Sequence, residues 1–238
     1  AADAAAICEA VSRPSMRFVA IKTADQQAAL MLHRTRDLLI RQRTMLVNAL
    51  RAHMAEFGIV AAQGRNNLQT LIEIIRDPAD ERLPATARTA LDAQVTQYMN
   101  LREQIDEIEA AIMAWHRSSA VSRRLATIPG IGPITASALA ATVLEAELFR
   151  SGRDLAAWLG LTPHQNSSGG KERSAGISKR GDRYIRRLLV IGAMSVIRYN
   201  GRRDPAAASW LTRLLDRRPK KVAALALANK MARIAWAL

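Results

Sequence analysis

Positions 166–183 read NSSGGKERSAGISKRGDR, and they concentrate the residue types that phosphate chemistry uses. Ser167 and Ser168 carry hydroxyls that can act as nucleophiles, and Gly169 and Gly170 give the backbone freedom to present them. The cations Lys171, Arg173, Lys179, Arg180 and Arg183 follow, able to hold a phosphate and stabilise negative charge developing on it. Three readings fit: a solvated loop, a phosphate cradle, or a nucleophile held beside a nucleic-acid backbone. On residue types alone the cradle is favoured over the nucleophile, because serines are common in Gly-rich loops for purely conformational reasons. His164 precedes Ser168 by four residues and could be its base, but a histidine in an exposed loop is the simpler reading.

A second stretch, LATIPGIGPITASALAATV at 125–143, brings an apolar segment to a Gly-x-Gly and then to a helix of small residues. This is the pattern of a helix-hairpin-helix. Gly130 and Gly132 let the turn be sharp, and backbone N–H groups at the start of the second helix can face a phosphate without reading base sequence. The alternative is a plain tight turn between packed helices. The segment ISKRGDRYIRRLLV then opens a basic helix with Arg183, Arg186 and Arg187 within little more than one turn, all candidate nucleic-acid contacts.

These motifs need elements to position them. Residues 25–57 contain neither Gly nor Pro, and Met31, Leu38 and Met45 repeat at seven-residue spacing, as do Leu32, Leu39 and Leu46. That spacing predicts a long helix with a coiled-coil seam, closed by Gly58. The break RDPADERLP at 76–84 separates it from a second amphipathic helix carrying Leu91, Val95, Tyr98, Leu101, Ile105, Ile108, Ile112 and Trp115. The pair forms either a helical hairpin within one subunit or a dimerising coiled coil. Before it, residues 1–23 read as a short Ala-rich helix and a short strand, MRFVAIK; after Arg117 the texture changes to short elements joined by Gly and Pro. The expected division is therefore 1–23, 24–117 and 118–238 in a mainly α chain, whose final apolar helix, interrupted by Lys230 and Arg233, packs against protein.

The totals agree with a nucleic-acid partner. The 238 residues carry a formal net charge of +14, and only 4% are aromatic. Between Lys171 and Lys221 there are fifteen Lys and Arg against four Asp and Glu, so eleven of the fourteen net positive charges sit there. A single cysteine, Cys8, excludes an internal disulfide and makes a reducing, cytoplasmic compartment the default. His33, His53, His116 and His164 lack metal-ligand spacing. The longest apolar run, LLVIGAMSVI at 188–197, is too short to span a bilayer, and nothing resembles a signal peptide, so no membrane role is expected. Asp3, one acid in an Ala-rich helix, means nothing alone.

In this order, these residues resemble the insertion-element transposases that join a RuvC-like DEDD domain to a C-terminal helix-hairpin-helix serine domain. The likeness runs from IPGIGPITASALAATV through FRSGRDLAAWLGLTPHQNSSGGKERSAGISKRGDRYIRRLLVIGA to ALANKMARIAWAL, and ADAAAICEAVSRPSMRFVAIKT resembles the end of the RuvC-like domain. The resemblance implies a DNA transposase, guided in characterised relatives by a structured bridge RNA that pairs with donor and target. It implies that Ser168, rather than Ser167, attacks the DNA backbone to form a 5′-phosphoserine link, and that Asp3 is the last of four acids holding Mg²⁺. It also implies a homo-oligomer through the long helices. The first three acids of that set would lie upstream of residue 1, so the 238 residues as given are expected to be inactive in strand transfer. Two other classes compete: a non-catalytic nucleic-acid-binding module in which Ser168 is only a loop residue, and a structural dimerisation protein with incidental charge.

Overall fold

The computed structural model describes residues 2–14, 16, 21–62, 64–143, 149–165, 174–200 and 210–238. Among them are ten helices and one short antiparallel hairpin, so the chain is mainly α. The helix α1 spans Ala2–Ser12 and buries none of its residues. The strand expected at MRFVAIK falls largely on 17–20, outside the described residues.

Helix α2 (Ala24–Glu56) begins at a reciprocal cap. The Thr23 hydroxyl accepts from the Gln26 N–H at 3.2 Å, and the Gln26 side chain accepts from the Thr23 N–H at 2.9 Å, satisfying two donors the first turn leaves orphaned. The helix ends at Phe57, and Gly58 turns away with φ of 71°. Helix α3 (Arg65–Arg76) and helix α4 (Ala85–Ser118) follow. The pairs Asp25–Trp115 and Arg36–Glu109 fix α2 and α4 as antiparallel, since partners late in α4 meet residues early in α2. At the far end, Leu50 and Met54 of α2 meet Leu68, Leu71 and Ile75 of α3 and Leu91 and Val95 of α4 in a core of their own. Each such side chain, taken fully out of water, contributes about 1.5–3 kcal/mol.

Only part of the heptad pattern on α2 enters this packing. Leu32, Leu39 and Leu46 are half-buried, whereas Met31, Leu38 and Met45 are exposed at 66%, 47% and 69%. A two-helix contact covers one stripe of a helix, so a second apolar row a third of a turn away stays in solvent.

The second core is built from the C-terminal half. Short α5 (Ala120–Leu125) leads through residues 126–132 into α6 (Pro133–Thr142), where every residue from Thr135 to Ala141 is buried. Such small side chains let α6 lie close against both α2 and α4, and so join the helical hairpin to the C-terminal half. Helix α7 (Gly152–Trp158) precedes strands β1 (Pro163–Gln165) and β2 (Ser174–Ile177); then come α8 (Arg183–Asn200), α9 (Trp210–Leu215) and α10 (Lys220–Ala237). As expected, α10 packs against protein, placing Ala223, Ala224, Ala228, Met231 and Ala232 in the core. No helix among the described residues is long and apolar enough to cross a membrane.

Candidate nucleic-acid interface

Strands β1 and β2 pair antiparallel, with Pro163 opposite Ile177 and Gln165 opposite Ser174. Residues 166–173 connect the two paired ends; Ser167, Ser168, Lys171 and Arg173 therefore lie outside the described residues. The chain leaving β2 is tied to the loop after α7. The Ser178 N–H donates to the Thr162 carbonyl at 2.8 Å and the Lys179 N–H to that of Gly160 at 3.3 Å. Asp182 then caps α8, its carboxylate accepting the Ile185 N–H at 2.9 Å. Lys179, Arg180 and Arg183 are exposed along this short path, and no carboxylate among the described residues pairs with them. Their charge is open to a polyanion.

Arg186 and Arg187, in the first turns of the basic helix, are engaged elsewhere. Arg186 is half-buried and donates to the carbonyls of Leu159 at 2.9 Å and Arg180 at 3.0 Å, clamping the two loops together. Arg187 pairs with Asp37 of α2 and lies over the Tyr184 ring, 5.4 Å from its centroid. One turn of sequence thus holds arginines with different duties, and Arg183 faces solvent.

In the turn between α5 and α6, Gly130 adopts φ of 90°, and a Cβ there would lie 2.8 Å from the Val196 side chain and 3.1 Å from the Gly192 carbonyl. Gly130 is thus a point of close approach to α8. Gly132 has a different setting: it is exposed, N-caps α6 without a side-chain hydrogen bond, and precedes Pro133 at the first helical position. Pro133 has no N–H to offer and Thr135 is buried, so the exposed start of α6 is limited to Gly132 and the half-buried Pro133 and Ile134.

Beside the hairpin runs a groove of about 1410 Å³, walled by Pro163, Ile177 and the outer face of α10. Most of the described lining residues are apolar; Arg153, Arg218, Lys230 and Arg233 are the charged ones among them.

A buried polar chain that sequence reasoning missed fixes where α8 stands. His33 of α2 is 2% exposed; its Nδ1 lies 3.1 Å from the Tyr184 hydroxyl and its Nε2 3.1 Å from Ser137 Oγ. Ser137 Oγ in turn donates to the Pro133 carbonyl at 2.8 Å. With Ser137 donating onward, a neutral imidazole here donates at Nε2 and accepts at Nδ1. Burial, with Arg36 nearby, lowers its pKa to about 4, and burial raises that of Tyr184. The only sequence signal was position: His33 follows the buried Ala29 by one turn of α2.

Asp3 is exposed in the first turn of α1. Among the described residues no three His, Cys, Asp or Glu side chains gather where a metal could bind. Asp3 and the described residues do not fit a magnesium site, which needs several oxygen ligands.

Residues 122–207 match the family model described as the transposase IS116/IS110/IS902 family. A Pseudomonas aeruginosa protein named as a family 20 transposase is 47% identical over 99% of this chain and 70% of its own length. The chain belongs to the IS116/IS110/IS902 transposase family. A Sinorhizobium fredii protein named as a transposase is 49% identical over 100% of this chain and 61% of its own length. The transposase for insertion sequence element IS1328 of Yersinia enterocolitica is 44% identical over 98% and 69% respectively. The chain thus spans between three fifths and seven tenths of these relatives. The segment matching the family model contains the α5–α6 turn, the hairpin and the basic helix, which are the parts of the fold that present Gly132, Lys179, Arg180 and Arg183.

Proposed function

We propose that this chain is the serine-bearing, nucleic-acid-binding part of an insertion-sequence transposase that acts on DNA with a guide RNA. The observation that carries the reading is the open cationic path of Lys179, Arg180 and Arg183 leaving the hairpin that brackets Ser168, in a chain of a transposase family. In this reading Ser168 Oγ loses its proton and attacks a backbone phosphorus. The new Oγ–P bond forms as the P–O3′ bond breaks, the leaving 3′ oxygen takes up a proton, and a 5′-phosphoserine remains. Lys171 and Arg173, with the three exposed cations, neutralise the charge on the phosphate oxygens. The exposed α6 start at Gly132 holds neighbouring backbone. Asp3 belongs to a magnesium site only if further acids join it. The exposed row Met31, Leu38 and Met45 is the surface on which copies would pair.

The test is covalent capture. Protein expressed from the whole gene is incubated with element-end DNA, the RNA encoded beside it and Mg²⁺, then run on a denaturing gel. A protein–DNA adduct lost in Ser168→Ala and kept in Ser167→Ala supports the reading. Loss in Ser167→Ala alone moves the nucleophile by one residue. No adduct, despite salt-sensitive binding, turns the assignment to a binding module.

A further inference from the structure

A second cluster of cations lies on the helical hairpin, away from the α8 region. Arg43 and Arg51 of α2 and Arg102 of α4 line one cleft of about 460 Å³ that opens where α3 begins at Gly64. Asp106 is the single acid among the described lining residues, which leaves three arginines facing one carboxylate there. No ion pair among the described residues neutralises any of the three arginines.

The walls hold these groups in place. The Arg51 Nη2 donates to the carbonyls of Ala62 and Gly64, each at 3.2 Å, while its Nε is buried with no acceptor among the described residues. The Arg102 guanidinium lies over the Tyr98 ring, 5.9 Å from its centroid, and Tyr98 itself is buried. Three arginines lining one cleft raise its positive potential, and planar guanidinium forks match phosphate oxygens bidentately. Gly64, at the N-cap of α3, supplies no side chain to cover that helix's first N–H groups, so the positive end of α3 adds to the same field.

We infer that this cleft binds a phosphodiester of a nucleic-acid backbone, giving the chain a second anchoring point on the helical hairpin. The inference rests on the proposed action on nucleic acid, but not on Ser168 being its nucleophile. Either DNA or RNA offers that group, so the test has an arm for each.

Binding of the full chain to a fluorescently labelled short duplex DNA, and separately to a structured RNA hairpin, is followed by anisotropy across a salt series. The variants are Arg43→Gln/Arg102→Gln and, as a control of equal charge change on the same half of the molecule, Arg76→Gln/Arg82→Gln, whose arginines pair with Asp92 and Asp80. On the occupying arm the cleft variant should weaken binding about tenfold and lower the slope of log affinity against log salt by about one, while the control stays near the unmodified chain. Arg43→Lys/Arg102→Lys should recover part of the affinity, since charge returns without the bidentate fork. Cleft and control variants that behave alike on both arms would overturn the inference, as would inorganic phosphate stabilising the unmodified chain alone with no change in nucleic-acid affinity. No binding by the unmodified chain would overturn this inference and the proposed function together.

Discussion

The Tyr184 hydroxyl lies 3.1 Å from His33 Nδ1, tying the first turn of α8 to helix α2 across 151 residues of sequence. The contact orients the helix that begins with Arg183. Tyr184→Phe removes the donor and leaves a buried imidazole nitrogen unsatisfied, which should cost about 1–3 kcal/mol in urea unfolding. A double-mutant cycle with His33→Phe should show coupling of at least about 0.5 kcal/mol; strict additivity would mean that the two groups do not interact.

The same histidine sets a pH dependence. Its folded pKa, about 4, lies below the ordinary 6.5, so between those values the unfolded chain binds a proton that the folded chain refuses. The contribution is complete above pH 6.5, declines as pH falls and is gone below about pH 4. It amounts to about 3 kcal/mol at most. His116, also lowered by burial with Arg123 and Arg117 beside it, and Asp80, whose carboxylate Arg82 holds at about 2, lose stability on the acid side as well. The measurement is therefore a difference: thermal unfolding of the unmodified chain should lose more stability between pH 7 and pH 4.5 than that of His33→Phe (window set by the ~6.5 and ~4 limits).

The arginines of α8 should separate by what their loss changes. Arg183→Gln should leave the melting temperature unchanged and lower the salt slope of nucleic-acid binding by about one. Arg186→Met removes the donor to two loop carbonyls, so it should lower stability by roughly 1–3 kcal/mol, read in urea. Asp37→Asn breaks a half-exposed ion pair and should cost about 1 kcal/mol or less, without weakening DNA or RNA binding.

Close backbone contact sets another expectation. Gly181 has φ of 84°, and a Cβ on it would lie 1.8 Å from the Trp158 carbonyl oxygen. Gly181→Ala must push the strand-to-helix connection away from α7 and should destabilise the chain by roughly 2–4 kcal/mol. By contrast, Gly132→Ala meets nothing within 4 Å, so it should fold normally; a loss of binding there would then report on the interface itself.

Much of this was legible in the sequence for local reasons. Helical content follows from long runs without Gly or Pro, and the seven-residue rows on α2 do lie along a helix, because side-chain period is a property of nearby residues. The turn at Gly130, the end of α2 at Gly58 and the charge surplus before Lys221 also needed no fold. The motifs around Gly130 and Ser168 pointed to the transposase family that the comparisons then showed.

What the tertiary structure decided was partnership. Sequence alone placed Arg183, Arg186 and Arg187 on one basic turn; folding left the first open, set the second on backbone carbonyls and gave the third to Asp37. It turned Met31, Leu38 and Met45 outward and drew His33, which belongs to no sequence motif, between Ser137 and Tyr184. Period and propensity act over a few residues, so the sequence carries them directly. Which distant group meets a given side chain depends on how helices cross, and only the packed chain sets that.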